Sequence, residues 1–119
     1  MAGDVLEEMR HAIRAFADAR DWQQFHTPKN LVMALNVEVA ELMEHFQWLT
    51  AEQSQSLDMR RHEQVKQEMG DVLIYLIRLA DVLNIDLAQA ASAKMRLNEA
   101  KYPVDKARGI AAKYTDFGE

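Results

Sequence analysis

The sequence predicts an all-α protein built as a four-helix antiparallel bundle, and three features of the chain support this. Apolar residues recur every three or four positions through most of the chain, which is the spacing of one helix face. The alternation of apolar and polar residues that is typical of β-strands is almost absent. The predicted helices are joined by short connections, which favour antiparallel neighbours in helical proteins.

Capping signals mark the starts of the first two helices. Asp4 followed by Glu7 is a capping-box pattern, and it predicts a first helix over about 4–19. Thr27 precedes a proline, and this combination is typical of a helix start, because the first helical residue has no need of an N–H donor. It predicts a second helix over about 28–48.

Aspartates begin the remaining two helices. Asp58 can cap a third helix over about 59–83, and an aspartate at position 86 can cap a fourth over about 87–101. The proline that follows terminates the fourth helix, because a residue before proline avoids helical dihedral angles. The tail over 104–119 is predicted to be a loosely held extension.

Length and composition indicate a single folded domain over 1–119. The chain has 119 residues, of which 49% are hydrophobic and 28% charged, as is typical of a globular protein. It has no cysteine, which excludes disulfides, zinc–thiolate sites and cysteine nucleophiles. The N-terminus lacks the pattern of a signal peptide, and no apolar run approaches the about 20 residues of a membrane span. We therefore expect a cytoplasmic protein without a membrane partner.

Charge and hydropathy also indicate which partners the chain has. The net charge of −5 argues against binding a nucleic acid polymer, which requires a broad basic surface. A single nucleotide is not excluded, because a divalent metal ion can invert the charge of an acidic site. The second and third helices are apolar around most of their circumference, so each is expected to pack on more than one side. This pattern predicts a homodimer or homotetramer.

Four carboxylates occupy unusual positions on the second and third helices. Glu38 and Glu41 lie three residues apart at the border of an apolar face, and Glu68 and Asp71 repeat this spacing. Counted from the turn between the helices, the two pairs stand at similar heights, on the order of 10–20 Å at about 1.5 Å per residue. Their oxygens are therefore expected to converge across an antiparallel contact. An all-oxygen ligand set favours Mg²⁺ or Mn²⁺.

These acids also admit other interpretations. Carboxylates three residues apart are common on solvated helix faces, as in a helical interaction module or a non-catalytic nucleotide-binding protein. A di-iron centre in a bundle requires Glu-x-x-His on two helices. It is disfavoured, because neither Glu68 nor any glutamate of the second helix has a histidine three positions later. Gly70, inside the third helix, suits either close helix packing or access for a phosphate.

The fourth helix carries a polar stripe formed by Lys94, Asn98 and Lys101. Two cations and an amide donor on one face suit phosphate oxygens, provided that this face meets the acids. The same pattern also suits solvated charges on an amphipathic helix. Arg78, one turn beyond Tyr75 on the third helix, has the same two interpretations.

Aromatic residues lie near both ends of the second helix. Trp22 and His26 lie on the connection before it, and Trp48 lies at its end. Aromatic rings near a charged cleft can stack on a nucleobase, a contact worth about 1–3 kcal/mol per base in single-strand binders. As individual residues they also suit anchors in a core or an interface.

Several segments together form a recognisable pattern. They are RDWQQFHTPKNL over 20–31, EVAELMEHFQW over 38–48, EMGDVLIYLIRLA over 68–80, KMRLNEAKYPV over 94–104 and KYTDFG over 113–118. With these segments the chain resembles the MazG-like all-α nucleotide pyrophosphohydrolases. The E-x-x-E motif followed by E-x-x-D is typical of that broad family, whereas DWxQFH, FQW and LIYL are typical of its dCTP pyrophosphatase branch.

The resemblance implies a role for most of the residues singled out above. The catalytic and Mg²⁺-binding residues would be Glu38, Glu41, Glu68 and Asp71. The residues around the base and the sugar would be Trp22, His26, Trp48 and Tyr75. The residues in contact with the phosphates would be Lys94 and Asn98, together with Lys101 and Tyr102.

The resemblance also implies a reaction. A nucleoside triphosphate, dCTP or a related pyrimidine deoxynucleotide, would be hydrolysed at the α-phosphorus to the monophosphate and pyrophosphate, which would sanitise the nucleotide pool. One position departs from the pattern. Where eukaryotic dCTP enzymes present a histidine on the first helix, facing the substrate, this chain has Ile13. This departure puts the preference for cytosine, or the affinity behind it, in question.

Overall fold

The structure, a computed structural model, describes the backbone of residues 2–117 and the side chains of residues 5–117. Its elements, in chain order, are α1 Ala2–Ala19, α2 Pro28–Glu44, α3 Ala51–Ser54, α4 Met59–Val82, α5 Leu87–Lys101, α6 Val104–Ala107 and the 3₁₀ turn η1 Tyr114–Asp116. No strand occurs among the described residues, so the all-α prediction is confirmed. No helix in this part of the chain is long and apolar enough to cross a membrane.

The first helix differs from its prediction at the N-terminus. α1 begins at Ala2, two residues before the predicted cap Asp4, whose side chain lies outside the described residues. Glu7, the other half of the predicted capping box, pairs instead with Arg10 and His11. The predicted capping box is therefore wrong, because the helix has already begun when the chain reaches position 4, which is not an N-cap.

The second helix begins as predicted and ends four residues early. Thr27 has an extended backbone, and its Oγ1 accepts a hydrogen bond from the N–H of Asn30 at 3.2 Å, which confirms the cap. The helix ends at Glu44 rather than Trp48, because the next residues form a series of turns. There the N–H groups of His45, Phe46 and Leu49 each donate to the carbonyl three residues earlier, which is the pattern of turns.

The aspartate caps of α4 and α5 are confirmed. Asp58 and Asp86 each accept a hydrogen bond from the backbone N–H three residues further on, at 2.8 and 3.0 Å. α4 ends at Val82, one residue before its predicted end, and α5 ends at Lys101 as predicted. Local capping chemistry therefore determines these boundaries.

The first compact unit of the chain, Met1–Ile85, has its core where α1 and α2 pack against α4. The hydrophobic residues buried there are Ala17, Leu31, Val65, Ile77 and Ala80. These come from all three helices, so the packing of α1 and α2 onto α4 holds this unit together.

Two polar contacts show that α2 and α4 run in opposite directions. Just after α2, the carbonyl of His45 accepts a hydrogen bond from Arg61 Nη1 in the first turn of α4, at 2.8 Å. Just before α2, His26 contacts Arg78 near the end of α4. This antiparallel arrangement brings the middle of α2 beside the middle of α4, as the convergence of the carboxylates requires.

The second compact unit, Asp86–Glu119, contains α5, α6 and η1. In it the ring of Tyr102 makes edge contacts with Tyr114 and Phe117, at centroid distances of 6.0 and 5.6 Å. The tail is therefore more ordered than predicted, because its aromatic residues pack on the end of α5; the tail residue Gly118 lies outside the described residues. The assignment of both units to one domain stays a prediction.

Candidate active site

Three of the four predicted acids meet between α2 and α4. Glu38, Glu41 and Glu68 are half-buried, and each offers a carboxylate oxygen within 4.8 Å of the others. Glu38 and Glu41 share a face because they lie one turn apart on α2, and the antiparallel α4 presents Glu68 to that face. We call these three residues the carboxylate trio.

Two buried oxygens of the carboxylate trio lack a partner. Oε2 of Glu38 and Oε2 of Glu68 are inaccessible to solvent and have no hydrogen-bond partner among the described residues. Burial, and after it the neighbouring acids, raise the pKa of Glu38 to about 7. Those acids are Glu68, Glu41 and Asp71. Clustered carboxylates of this kind are unfavourable unless they share a proton or a cation, so the trio fits a bound cation.

Asp71, the fourth predicted acid, lies at the edge of the carboxylate trio. It is one turn further along α4 than Glu68, and its side chain is exposed. It contributes no oxygen to the trio, but its charge is among the causes that raise the pKa of Glu38, after burial and the two other glutamates. Asp71 is therefore an accessible carboxylate beside a half-buried cluster.

Gly70 makes no close packing contact within the described chain. It is exposed, and a Cβ built on it would meet no heavy atom within 4 Å. Close packing against another described helix therefore does not explain this glycine. The open surface beside it is consistent with the alternative prediction, access for a ligand.

The connection between α1 and α2 brings Trp22 and His26 together. α1 ends in a Schellman motif, in which the N–H of Trp22 donates to the carbonyl of Ala17 at 2.9 Å and Asp21 has a positive φ of 54°. The Trp22 and His26 rings then lie 6.2 Å apart between centroids, at an interplanar angle of 63°. Trp22 is 42% exposed, so this ring pair presents aromatic surface to a ligand.

Trp48 and Tyr75, the other residues predicted to surround the base and sugar, do not join this ring pair. Trp48 lies in the turns after α2, is 86% exposed and makes none of the close ring contacts of the described chain. Tyr75 is half-buried on α4, one turn beyond Asp71, as the helical spacing predicts. An indole this exposed is suited to contact with a ligand or a second chain.

The residues predicted to contact the phosphates lie in the second unit. Lys94 is exposed on α5, and Asn98 and Lys101 are half-buried. The Lys101 ammonium lies over the Tyr114 ring, 5.0 Å from its centroid, and Tyr102 packs on the same tail residue. Two of the four side chains therefore have partners in the tail, and the phosphate contact of all four stays a prediction.

An ion-pair network around Asp81 is absent from the sequence-based prediction. Asp81 accepts hydrogen bonds at 2.8, 2.9 and 3.1 Å from Arg10 Nη1, Arg14 Nε and Arg78 Nη1. Its side chain is 4% exposed, and hydrogen bonding from Arg14 and then Arg10 lowers the pKa of Asp81 to about 2. Arg78, itself buried, also donates to His26, so it is not a free cation for phosphate. The only local signal for this network is the i,i+3 spacing of Arg78 and Asp81 in an apolar stretch.

The chain is similar to known proteins over most of its length. The family model described as MazG-like matches residues 33–117 of the chain. The chain is similar to dCTP pyrophosphatase 1 of Bos taurus, with 46% identity over 115 residues, 95% of this chain and 68% of that protein. The Homo sapiens protein of the same name is 43% identical with the same coverage.

A solved structure is similar as well. The crystal structure of a pyrophosphatase from Archaeoglobus fulgidus DSM 4304 superposes with a TM-score of 0.77 and 45% identity, over 82% of this chain and 91% of its own. The family model covers most of the chain, and these two relatives are 43% and 46% identical to it over the 115 aligned residues. The chain therefore belongs to the MazG-like family.

Proposed function

We propose that the chain is a metal-dependent nucleoside-triphosphate pyrophosphatase that hydrolyses dCTP or a related pyrimidine deoxynucleotide to the monophosphate and pyrophosphate. The observation that carries this proposal is the carboxylate trio of Glu38, Glu41 and Glu68, which provides an all-oxygen cation site. The relatives named dCTP pyrophosphatase 1, at 43% to 46% identity, support the substrate class. We infer a role in sanitising the deoxynucleotide pool, and a cytoplasmic location stays a prediction.

The proposed cofactor is Mg²⁺, with Mn²⁺ as the alternative. The carboxylate trio would hold it, with Asp71 as the fourth carboxylate. Carboxylate oxygens are the ligands that both ions prefer, and two buried oxygens without hydrogen-bond partners suit such an ion. When bound, the ion neutralises negative charge on the phosphoryl oxygens.

The acids have a second task in the proposed reaction. A carboxylate beside the α-phosphorus can accept a hydrogen bond from water, orient that water for attack and take its proton. Attack forms a P–O bond to the water oxygen and breaks the bond from the α-phosphorus to the bridging oxygen, so pyrophosphate leaves. Asp71 is the member of the set with an exposed side chain, which makes it accessible to water.

The ring pair of Trp22 and His26 is proposed to contact the base and the sugar, because it combines aromatic surface with a polar ring edge. Ile13, half-buried on α1, offers no hydrogen bond to a base. We therefore expect other pyrimidine deoxynucleotides to be substrates as well, hydrolysed more slowly than dCTP. The remaining residues proposed for the substrate site are Trp48, Tyr75, Lys94, Asn98, Lys101 and Tyr102.

Product analysis over a panel of ribo- and deoxynucleoside triphosphates tests this function. With Mg²⁺ we expect nucleoside monophosphate and pyrophosphate, with dCTP as the fastest substrate, and no turnover after chelation with EDTA. Release of diphosphate and orthophosphate by a preparation free of contaminating phosphatase would overturn the assignment. Nucleotide binding without turnover would indicate a non-catalytic nucleotide-binding protein, and neither binding nor turnover would indicate a helical interaction module.

A homodimer or homotetramer is proposed from the apolar surface of α2. The large hydrophobic side chains exposed on this helix are Val32, Met33, Val37, Val39 and Met43. Met33 and Val37 lie four residues apart, as do Val39 and Met43, and Val32 lies seven residues before Val39, so they form two stripes of apolar surface rather than isolated contacts. Such a surface favours burial against a second copy of the chain.

Light scattering at micromolar concentration is expected to give two or four times the chain mass of 13.7 kDa. Met33→Glu, which places a charge in this apolar surface, should shift the protein toward the monomer. Met59→Glu, at the 91% exposed start of α4, is the matched control and should not. A monomeric mass for the unsubstituted protein would contradict the proposed assembly.

A further inference from the structure

The contact between Arg78 and His26 determines which ring nitrogen of the histidine carries the proton. The guanidinium Nε of Arg78 donates a hydrogen bond to His26 Nδ1 at 3.0 Å. A guanidinium has donors and no acceptor, so Nδ1 must present its lone pair. The single proton of the neutral imidazole therefore lies on Nε2.

The imidazole is neutral in this contact. A second proton on Nδ1 would remove the hydrogen bond and set a positive ring against the guanidinium of Arg78. Burial, and after it the charge of Arg78, lower the pKa of His26 below its ordinary value. Both effects favour the neutral imidazole at neutral pH, and the hydrogen bond from Arg78 to Nδ1 makes it the Nε2–H tautomer.

The guanidinium of Arg78 is itself held in one orientation. Arg78 is 6% exposed, and its Nη1 donates to Asp81 Oδ2 at 3.1 Å. Asp81 also accepts hydrogen bonds from Arg10 and Arg14 of α1. Rotation of the guanidinium away from His26 would break a buried ion pair, so the hydrogen bond to the ring is enforced by the fold.

The opposite edge of the His26 ring is open to a ligand. The ring is half-buried, and within the described part of the chain no protein oxygen accepts a hydrogen bond from Nε2. The partly exposed indole of Trp22 lies beside it, at a centroid distance of 6.2 Å. An uncharged N–H donor next to aromatic surface is suited to the oxygen acceptors of a base or a sugar.

We propose that Arg78 is a positioning residue that sets His26 as an Nε2–H donor toward an acceptor oxygen on the base or sugar of the bound nucleotide. This inference rests on the proposed function, because the nucleotide is the ligand that it requires. Arg78 does not touch the nucleotide and acts only through the His26 ring.

The tautomer of His26 is measurable in the unsubstituted protein without nucleotide. Long-range ¹H–¹⁵N NMR spectra of ring-labelled histidine are expected to show an unprotonated Nδ1 and a protonated Nε2 at neutral pH. A protonated Nδ1 would overturn the proposal, however the variants behave. Turnover does not enter this measurement, so its failure is distinguishable from a failure of the proposed function.

Binding of a non-hydrolysable dCTP analogue, measured by calorimetry, tests whether Arg78 acts through His26. His26→Phe and Arg78→Met should each raise Kd about three- to tenfold, the effect of losing one hydrogen bond. The double variant should match His26→Phe, and Kd for pyrophosphate should not change. A further loss from Arg78→Met in the His26→Phe background would reveal an independent role of Arg78 and overturn the proposal.

Arg14→Met is the matched control, because it removes another donor to Asp81 without touching His26. It should leave both the His26 tautomer and the Kd of the analogue unchanged, whereas Arg78→Met should release the ring and populate both tautomers. An equal loss of affinity in Arg14→Met would assign the effect to the ion-pair network instead of the histidine, and would contradict the proposal.

Discussion

Glu38→Gln is expected to lower dCTP turnover about 100- to 1000-fold in saturating Mg²⁺, because the substitution removes a charged ligand from the carboxylate trio. Helical content, measured by circular dichroism, should not change. Glu44→Gln is the matched control, since Glu44 is exposed at the end of the same helix and contributes no oxygen to the trio. Turnover retained in Glu38→Gln would show that the trio is not the catalytic centre.

The same substitution should leave the metal-free protein as stable as before, or more stable. The pKa of Glu38 is raised from 4.5 to about 7, so the folded state binds more protons than the unfolded state between these values. The free energy of unfolding of the metal-free protein should therefore fall as pH rises from about 4.5 through about 7. Above that range Glu38→Gln should recover on the order of 1–2 kcal/mol.

Thermal melts with and without millimolar Mg²⁺ measure the stability of the metal-free protein and the stability gained from the ion. The unsubstituted protein and Glu44→Gln should gain stability from the ion, because it binds only the folded state, whereas Glu38→Gln should lose most of that gain. A Glu38→Gln protein that is less stable without metal would mean that Glu38 makes a favourable contact in the metal-free fold, contrary to its unpartnered Oε2.

Asp81→Asn is expected to lower the free energy of unfolding by about 3 kcal/mol and Tm by about 10 °C. Asp81 and Arg78 are almost fully buried, so loss of the carboxylate leaves a buried guanidinium without its counter-ion. Glu7→Gln is the matched control, because Glu7 pairs with the same Arg10 at an exposed position, and it should leave Tm nearly unchanged.

The contribution of Asp81 also has a defined pH range. Its pKa is lowered from 3.8 to about 2 in the folded state, so the unfolded state binds more protons between these values. The stabilisation is fully present above about pH 4 and is lost as pH falls toward 2. Acid unfolding should therefore show a weaker loss of stability over this range in Asp81→Asn than in the unsubstituted protein. Equal pH profiles would contradict the strong coupling of Asp81 to its arginines.

Features that depend on neighbours in sequence were predictable. Thr27, Asp58 and Asp86 each cap a helix by accepting a hydrogen bond from the N–H three residues further on. Each cap therefore depends on residues that are close together in the sequence. The early end of α2 was not predictable, because no capping signal in the sequence marks the turns and the bend over 45–49. Asp21 likewise takes the left-handed position that ends α1, where glycine or asparagine is more usual.

The carboxylate trio was predictable from the sequence only in part. The sequence shows that Glu38 and Glu41 on α2, and Glu68 and Asp71 on α4, lie three residues apart. It also predicts similar heights for the two pairs above the connection, because helical rise and periodicity are constant. Side-chain packing decided which acids meet. Glu68 contributes an oxygen to the cluster, whereas Asp71, one helical turn further along α4, is exposed.

By itself, the sequence determined the all-α class, the main helices and the acids that meet, since each follows from periodicity, capping and fixed helix geometry. Only the tertiary structure decided the surroundings of His26 and Asp81. The partners of Asp81 on α1 lie 71 and 67 residues away, and Arg78 lies 52 residues from His26. No local pattern specifies such pairs, because the spacing of an arginine along a helix does not tell whether its side chain is buried or solvated. Burial between packed helices is what turns Arg78 from a surface cation into the residue that orients the imidazole.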